Sequence, residues 1–257
     1  MVRYDKNTEM GGTQVSFQTT HWSEVIDARA SNPDRQTEVV NALITRYWKP
    51  VYCYLRRKGC SNEQAKDLTQ GFFYEVALGR NLFAQADKKK GKFRTFLLTA
   101  LDRYSRDIYE MENAQKRRPE GQLASLDTEE MAGLLDSQQT SRPEEVFHYA
   151  WASDVLNEVL ATVKVECCQN QRQAYWEVFH GKVVVPILDN CDPPTLKDLC
   201  SNLAIKDEQT ASNMISYVKK QFQSTMRRHL RQFVSSDSEV EEEFADIFSI
   251  LSKNNAR

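Results

Sequence analysis

Histidine is scarce in this sequence of 257 residues, and several patterns that accompany enzymatic chemistry are missing. Only four histidines occur, and none stands beside a paired carboxylate or a serine-nucleophile motif. The sequence also has no glycine-rich phosphate-binding loop. These absences favour a protein that is not an enzyme and that uses no cofactor.

Patterns for disulfides, metal sites and membrane spans are missing as well. The six cysteines show neither C-x-x-C pairing nor the regular spacing of a disulfide-linked secreted domain. A zinc site from His180, Cys191 and Cys200 would match no common structural zinc spacing. No run of about eighteen apolar residues occurs, and the amino-terminal residues contain no apolar run of signal-peptide length. We therefore predict free thiols, no metal, no membrane partner and a cytoplasmic protein.

Charge is unevenly distributed, although the formal net charge is only −2. Residues 1–118 sum to +7, whereas residues 119–142 and 235–257 sum to −4 each. Residues 209–234 contain no acidic residue. Their five cations are Lys219, Lys220, Arg227, Arg228 and Arg231. Such a strip suits a phosphate backbone. A solvated helix face is the alternative interpretation.

Apolar residues recur with a helical period along nearly the whole chain, which predicts an all-α fold. Pro50 is expected to kink or divide the first helix, and Ser61 and Gln64 have capping-box spacing at the start of the second. The helices expected in the first half span residues 36–57, 61–79 and 92–113.

The second half shows a short helix, a turn and a longer basic helix, after helices expected near residues 144–164 and 171–179. Thr195 and Asp198 occupy capping positions of the short helix, and the turn is expected at residues 206–209. The longer helix would direct Asn213, Ser216, Tyr217, Lys219 and Lys220 toward solvent. This order is typical of a helix-turn-helix, although similar helix pairs are common in proteins that never bind DNA.

Composition divides the chain into parts. Residues 119–142 are rich in Glu, Gln, Ser and Thr and finish at Pro143, which indicates a flexible linker. We predict two helical domains, residues 19–118 and 143–234, joined by this linker, with the helix-turn-helix in the second.

Residues 235–257 form an acidic amphipathic extension, with apolar residues at helical spacing. Packing of its apolar stripe on the second domain is one interpretation. The other is that its acids also shield Arg227, Arg228 and Arg231 and so restrain DNA binding.

Residues 67–73, Asp-Leu-Thr-Gln-Gly-Phe-Phe, resemble the polymerase-binding helix of extracytoplasmic-function (ECF) sigma factors of bacterial RNA polymerase. The resemblance continues at residues 47–52, 91–98 and 142–147 and covers most of residues 19–234. Residues 19–23 and 176–179 are similar to a planctomycete-like branch of these factors with enlarged second domains.

The resemblance implies a sigma factor that directs transcription initiation. The first domain would be region 2-like, binding a coiled coil of the largest subunit of core RNA polymerase and the minus-ten element. The second would be region 4-like, binding the minus-thirty-five element of promoter DNA. An anti-sigma factor is a further partner that the resemblance admits.

The resemblance also implies site residues. The polymerase contact would comprise Asp67, Leu68, Gln70 and Phe73. The promoter-melting helix would contribute Lys92, Arg94, Arg103 and Arg106, with Tyr104 either stacking on bases or lying in the core. The recognition helix would contribute Asn213, Ser216, Lys219 and Lys220.

Two departures from the family pattern concern DNA recognition. Arg103 stands where the family usually has Asn, and the turn before the recognition helix is one residue longer than usual. The alternatives to a sigma factor are a stand-alone helix-turn-helix regulator and a helical adaptor that binds only protein.

Overall fold

The computed structural model describes residues 33–79, 92–115, 141–188, 191–231, 234 and 236–255. All regular secondary structure in these residues is helical, which confirms the all-α prediction. The α-helices are α1 (Pro33–Arg57), α2 (Asn62–Gly71), α3 (Phe93–Gln115), α4 (Pro143–Gln169), α5 (Gln173–Phe179), α6 (Val185–Leu188), α7 (Leu196–Asn202), α8 (Glu208–Leu230) and α9 (Asp237–Asn255). Two π-helical segments, Phe72–Gly79 and His180–Val184, continue α2 and α5.

The contacts divide the chain into two compact units, Met1–Trp151 and Ala152–Arg257. The division falls inside α4, where Phe147 stacks on Tyr47 with ring centroids 6.4 Å apart. The first turns of α4 therefore pack within the first unit, whereas the sequence analysis assigned residues from 143 onward to the second domain. Residues 119–140 of the predicted linker and residues 19–32 of the predicted first domain lie outside the described residues.

The first unit has its core between α1, α2, the Phe72–Gly79 segment, α3 and the start of α4. The helix α1 is continuous through the buried Pro50, so the proline does not divide it. The predicted capping box begins α2: Ser61 Oγ accepts a hydrogen bond from Gln64 N at 3.3 Å, and Gln64 Oε1 accepts one from Ser61 N at 3.0 Å. Its satisfied amide donors explain why the helix begins there.

The second unit is organised around α8, against which α5, α7 and α9 pack. Phe179 at the end of α5 meets Phe222 of α8, with ring centroids 6.5 Å apart. The predicted caps are present on α7, where Thr195 Oγ1 accepts from Asp198 N at 3.1 Å. The connection to α8 ends at Asp207, which caps that helix, so Glu208 and Gln209 are helical and not part of the turn as predicted.

Gly71 allows a close approach inside the first unit. A Cβ at this position would overlap the hydroxyl of Tyr104, whereas the ring carbon that bears this hydroxyl would be 3.7 Å away, an ordinary contact. Tyr104 is buried and packs on Phe72 at a centroid distance of 5.7 Å. The glycine therefore lets α2 lie against the tyrosine of α3.

The close approach of Tyr104 to Gly71 predicts that Gly71→Ala changes the free energy of unfolding differently in two backgrounds. Gly71→Ala should lower the free energy of unfolding, because an overpacking cost of about 1–3 kcal/mol exceeds the helix-propensity gain of roughly 1 kcal/mol. In a Tyr104→Phe background the overlap is gone, and the same substitution should be neutral or stabilising. Urea unfolding of the four proteins measures both effects. Equal destabilisation in the two backgrounds would contradict the overlap.

Candidate nucleic-acid and partner interfaces

The outward side of α8 is a continuous polar surface. Asn213, Ser216, Lys219 and Lys220 are all exposed on it, as predicted from the helical period. Asn213, Ser216 and Lys220 follow one another at spacings of three and four residues, so they form one stripe along the helix. The Asn213 Oδ1 atom accepts a hydrogen bond of 3.2 Å from Gln209, one turn earlier on the same side.

The cations of α8 and its cap differ in their partners. Three arginines form ion pairs: Arg227 with Glu241, Arg228 with Glu166 and Arg231 with Asp237. Lys219 and Lys220 form no ion pair with any residue that the structure describes. The uncompensated positive charge of the helix is therefore located in its middle, beside Ser216.

Tyr217 was expected to face solvent and instead lies half-buried at the edge of α8. The guanidinium group of Arg172 donates to its hydroxyl and lies over its ring, 4.5 Å from the centroid. Tyr175 of α5 contacts the same ring edge-on at 5.6 Å. Tyr217 therefore attaches α8 to the α5 region, and the sequence period alone did not reveal this tertiary contact.

The cations predicted for the promoter-melting helix α3 fall into different environments. Arg103 is exposed, and Lys92 is half-buried just before the helix. Arg94 is only 6% exposed, and its guanidinium lies 4.5 Å from the ring centroid of Trp151. This burial argues against the predicted phosphate contact by Arg94. Tyr104 is likewise a core residue.

Arg106 is exposed but belongs to a charged network around Asp102. Lys58 Nζ donates to Asp102 Oδ1 at 2.8 Å, the Tyr54 hydroxyl donates to the same oxygen at 2.9 Å, and Arg106 donates to Oδ2. The hydrogen bonds from Lys58 and then Arg106 hold the pKa of Asp102 well below its usual range. Burial, followed by the bond to Asp102, raises the pKa of Tyr54. The network joins α1 to α3.

The predicted polymerase-binding residues do not all face outward. Asp67 and Gln70 are exposed on α2. Leu68 is half-buried and lines a cleft of about 670 Å³ together with Gln64 of α2 and Tyr109 of α3. Phe73 is only 2% exposed and packs on Phe72 at 5.3 Å, so it is a core residue in this structure and not a surface contact.

Tyr74, which was not among the predicted contacts, is an exposed aromatic residue close to Gln70. Its side chain is 73% exposed, immediately after the two buried phenylalanines and four residues after Gln70. The run of three aromatic residues at 72–74 was the feature of the sequence from which the exposure of Tyr74 could have been inferred. Consecutive side chains of a helix point in different directions, so a helix that buries the first two rings directs the third away from the same core.

Comparison of the chain with family models, with curated proteins and with solved structures finds no match. Among the described residues, no three His, Cys, Asp or Glu side chains come together as metal ligands. None of the described helices has the length and apolar content that a membrane span requires.

The Asp102 network predicts a pH dependence of stability. The folded-state pKa of Asp102 is depressed, so its carboxylate contributes stability above the unfolded pKa of about 4. This contribution is lost as the pH falls below that value. Asp102→Asn should therefore be less stable than wild type at pH 7, and the difference should shrink below about pH 4. Urea unfolding across pH measures this, with Asp67→Asn as an exposed control. A difference that is constant with pH would contradict a charge-based role.

Proposed function

We propose that this protein is a sigma factor of the ECF type, which binds core RNA polymerase and directs it to promoter DNA. The observation that carries the proposal is the exposed face of α8. It combines hydrogen-bonding side chains with two lysines that have no ion pair in the described residues, and residues 209–231 contain no acid. Such a surface favours a polyanion over a protein partner of mixed charge.

The order of α7, turn and α8 supports a helix-turn-helix reading of promoter DNA. The major groove of B-DNA admits one α-helix, and the amino-terminal part of a recognition helix contacts base edges. Asn213 and Ser216 lie in that part of α8, where Asn can form two hydrogen bonds to adenine. Lys219 and Lys220 follow, in position for a guanine edge or a phosphate.

We propose that polymerase contacts Asp67 and Gln70 of α2 together with Tyr74 of the π-helical segment that continues it, and we call these three residues the α2 surface. Interfaces gain most of their binding energy from a few anchors, among which tyrosine is enriched. The exposed Tyr74 can supply such an anchor, whereas the buried Phe73 cannot without a change in the core. The polar neighbours Asp67 and Gln70 would determine which partner is accepted.

For promoter melting, the exposed Arg103 and the half-buried Lys92 are the candidates that we retain on or beside α3. Displaced single strands are held by cations along their phosphates. Arg106 is a weaker candidate because it also bonds Asp102. These roles require binding energy and no catalytic group in the protein.

A stand-alone DNA-binding regulator would also use α8, so the α2 surface distinguishes the two hypotheses. We expect Tyr74→Ala to weaken binding to bacterial core polymerase by about ten- to thirty-fold, a hot-spot loss of roughly 1.4–2 kcal/mol. Met111→Ala is the control, since Met111 is a 58% exposed apolar residue of the same unit. Polymerase titration with labelled protein measures both affinities. Retention of full affinity in Tyr74→Ala would reject this anchor, and no polymerase binding by wild type would favour the regulator.

If α8 binds DNA, substitutions of its lysines and of Asn213 should have different effects on affinity and on sequence preference. Lys219→Ala and Lys220→Ala should each weaken binding to all sequences and reduce the slope of log K against log salt by about one. Asn213→Ala should instead reduce the preference for the promoter over a scrambled duplex. Lys253→Ala, an exposed lysine of α9, is the control. Fluorescence anisotropy across a salt series measures all four, and an equal loss of specificity from each lysine and from Asn213 would contradict this assignment.

A further inference from the structure

We infer that Arg227 and Arg231 form a second phosphate-binding site on the second unit, and that acids of α9 occupy it in place of DNA phosphates. The inference rests on the proposed function and adds to it, because it assigns new DNA-binding residues and an intramolecular competitor. One of the two interpretations of the acidic extension was that its acids shield all three arginines. The structure instead pairs Arg228 with Glu166 of α4 and so excludes it from this site.

The geometry at Arg227 is that of a guanidinium holding an oxyanion. Its Nε donates to Glu241 Oε1 at 2.6 Å, and a terminal nitrogen donates to Oε2 at 3.2 Å. Two parallel bonds of this kind are the arrangement that arginine uses for carboxylates and for phosphates alike. Arg231 donates to Asp237 Oδ1 at 2.8 Å. The two carboxylates therefore occupy the positions that phosphate oxygens would take.

The position of Arg227 on α8 connects this site with the rest of the proposed DNA surface. It follows Lys220 by seven residues, which is nearly two full helical turns, so both lie on the same side. The separation along the axis is about 10 Å, at 1.5 Å per residue. A DNA strand that reaches Lys220 can therefore meet Arg227 without any change in α8.

The ion pairs can open while α9 stays in place. Buried Val240 and Ile247 fix the helix through apolar contacts, whereas Glu241 and Asp237 are exposed. Exposed ion pairs contribute little free energy and weaken with salt. A DNA phosphate can therefore displace these carboxylates without unfolding α9, and Phe244 would still support the Arg227 guanidinium, which lies 5.0 Å from its ring centroid.

The experiment compares two neutralised acids on adjacent positions of α9. Glu241→Gln removes the charge that pairs with Arg227. Glu242→Gln removes the same charge from an exposed residue that forms no ion pair in the described part of the chain. Both full-length variants and wild type are titrated with a fluorescein-labelled duplex of mixed sequence, by anisotropy, across a salt series. Thermal melting verifies that wild type and every variant are folded.

We expect Glu241→Gln to bind the duplex about two- to five-fold more tightly at low salt, the range for loss of one exposed ion pair. Its salt slope should be steeper by about one, because one more phosphate is contacted. Glu242→Gln should change the affinity less and leave the slope unaltered. Arg227→Ala added to Glu241→Gln should abolish the gain.

Equal effects of the two glutamine variants would overturn the inference, since only net charge would then matter. No gain from Glu241→Gln, in a wild type that binds DNA, would overturn the inference while leaving the proposed function intact. Absence of DNA binding by every variant at low salt would reject the proposed function and the second site together.

Discussion

Burial of one side of α8 determines what the second unit can bind. Ala211, Ile215, Val218 and Phe222 are buried at helical spacing, and α5 and α7 pack against this helix. Successive residues of an α-helix are separated by about 100°, so the buried residues determine which residues face outward. The polar face is thus a consequence of apolar packing. A rotation of α8 by one residue, about 100°, would turn part of its apolar stripe toward water.

The same constraint selects the exposed residues of the first unit. The core takes both Phe72 and Phe73, where α2 gives way to the π-helical segment. Short π-helical turns are uncommon and occur frequently at functional positions. Two consecutive aromatic rings are buried, and the third side chain of the run, Tyr74, points away from the core. Its exposure accompanies the burial of its two neighbours, and it places a large aromatic surface beside Gln70.

Local features of the fold were predictable from the sequence, because they depend on residues close together in the chain. The capping box at Ser61, the cap at Thr195 and the apolar stripe of α8 were all confirmed. Features that depend on distant partners were not predictable. The helical period cannot tell that Arg94 meets Trp151, or that Tyr217 meets Arg172. The assignment of Phe73 to the surface failed for the same reason, since motif position does not measure burial.

The availability of each arginine to a polyanion depends on its local partners and not on its number in the sequence. Arg94 would have to leave a buried position over an indole ring. Arg106 shares Asp102 with Lys58 and Tyr54, so that carboxylate would keep two donors if Arg106 turned toward a phosphate.

Arg227 differs from both, because its partner is an exposed glutamate on a helix that apolar contacts hold in place. Exchange of one oxyanion for another there would preserve the two hydrogen bonds of the guanidinium and leave the freed carboxylate in water, where an unpaired charge costs little. If DNA binds as we propose, Arg227 would keep its contact with Phe244 on engaging a phosphate, and the acids of α9 would compete with that phosphate.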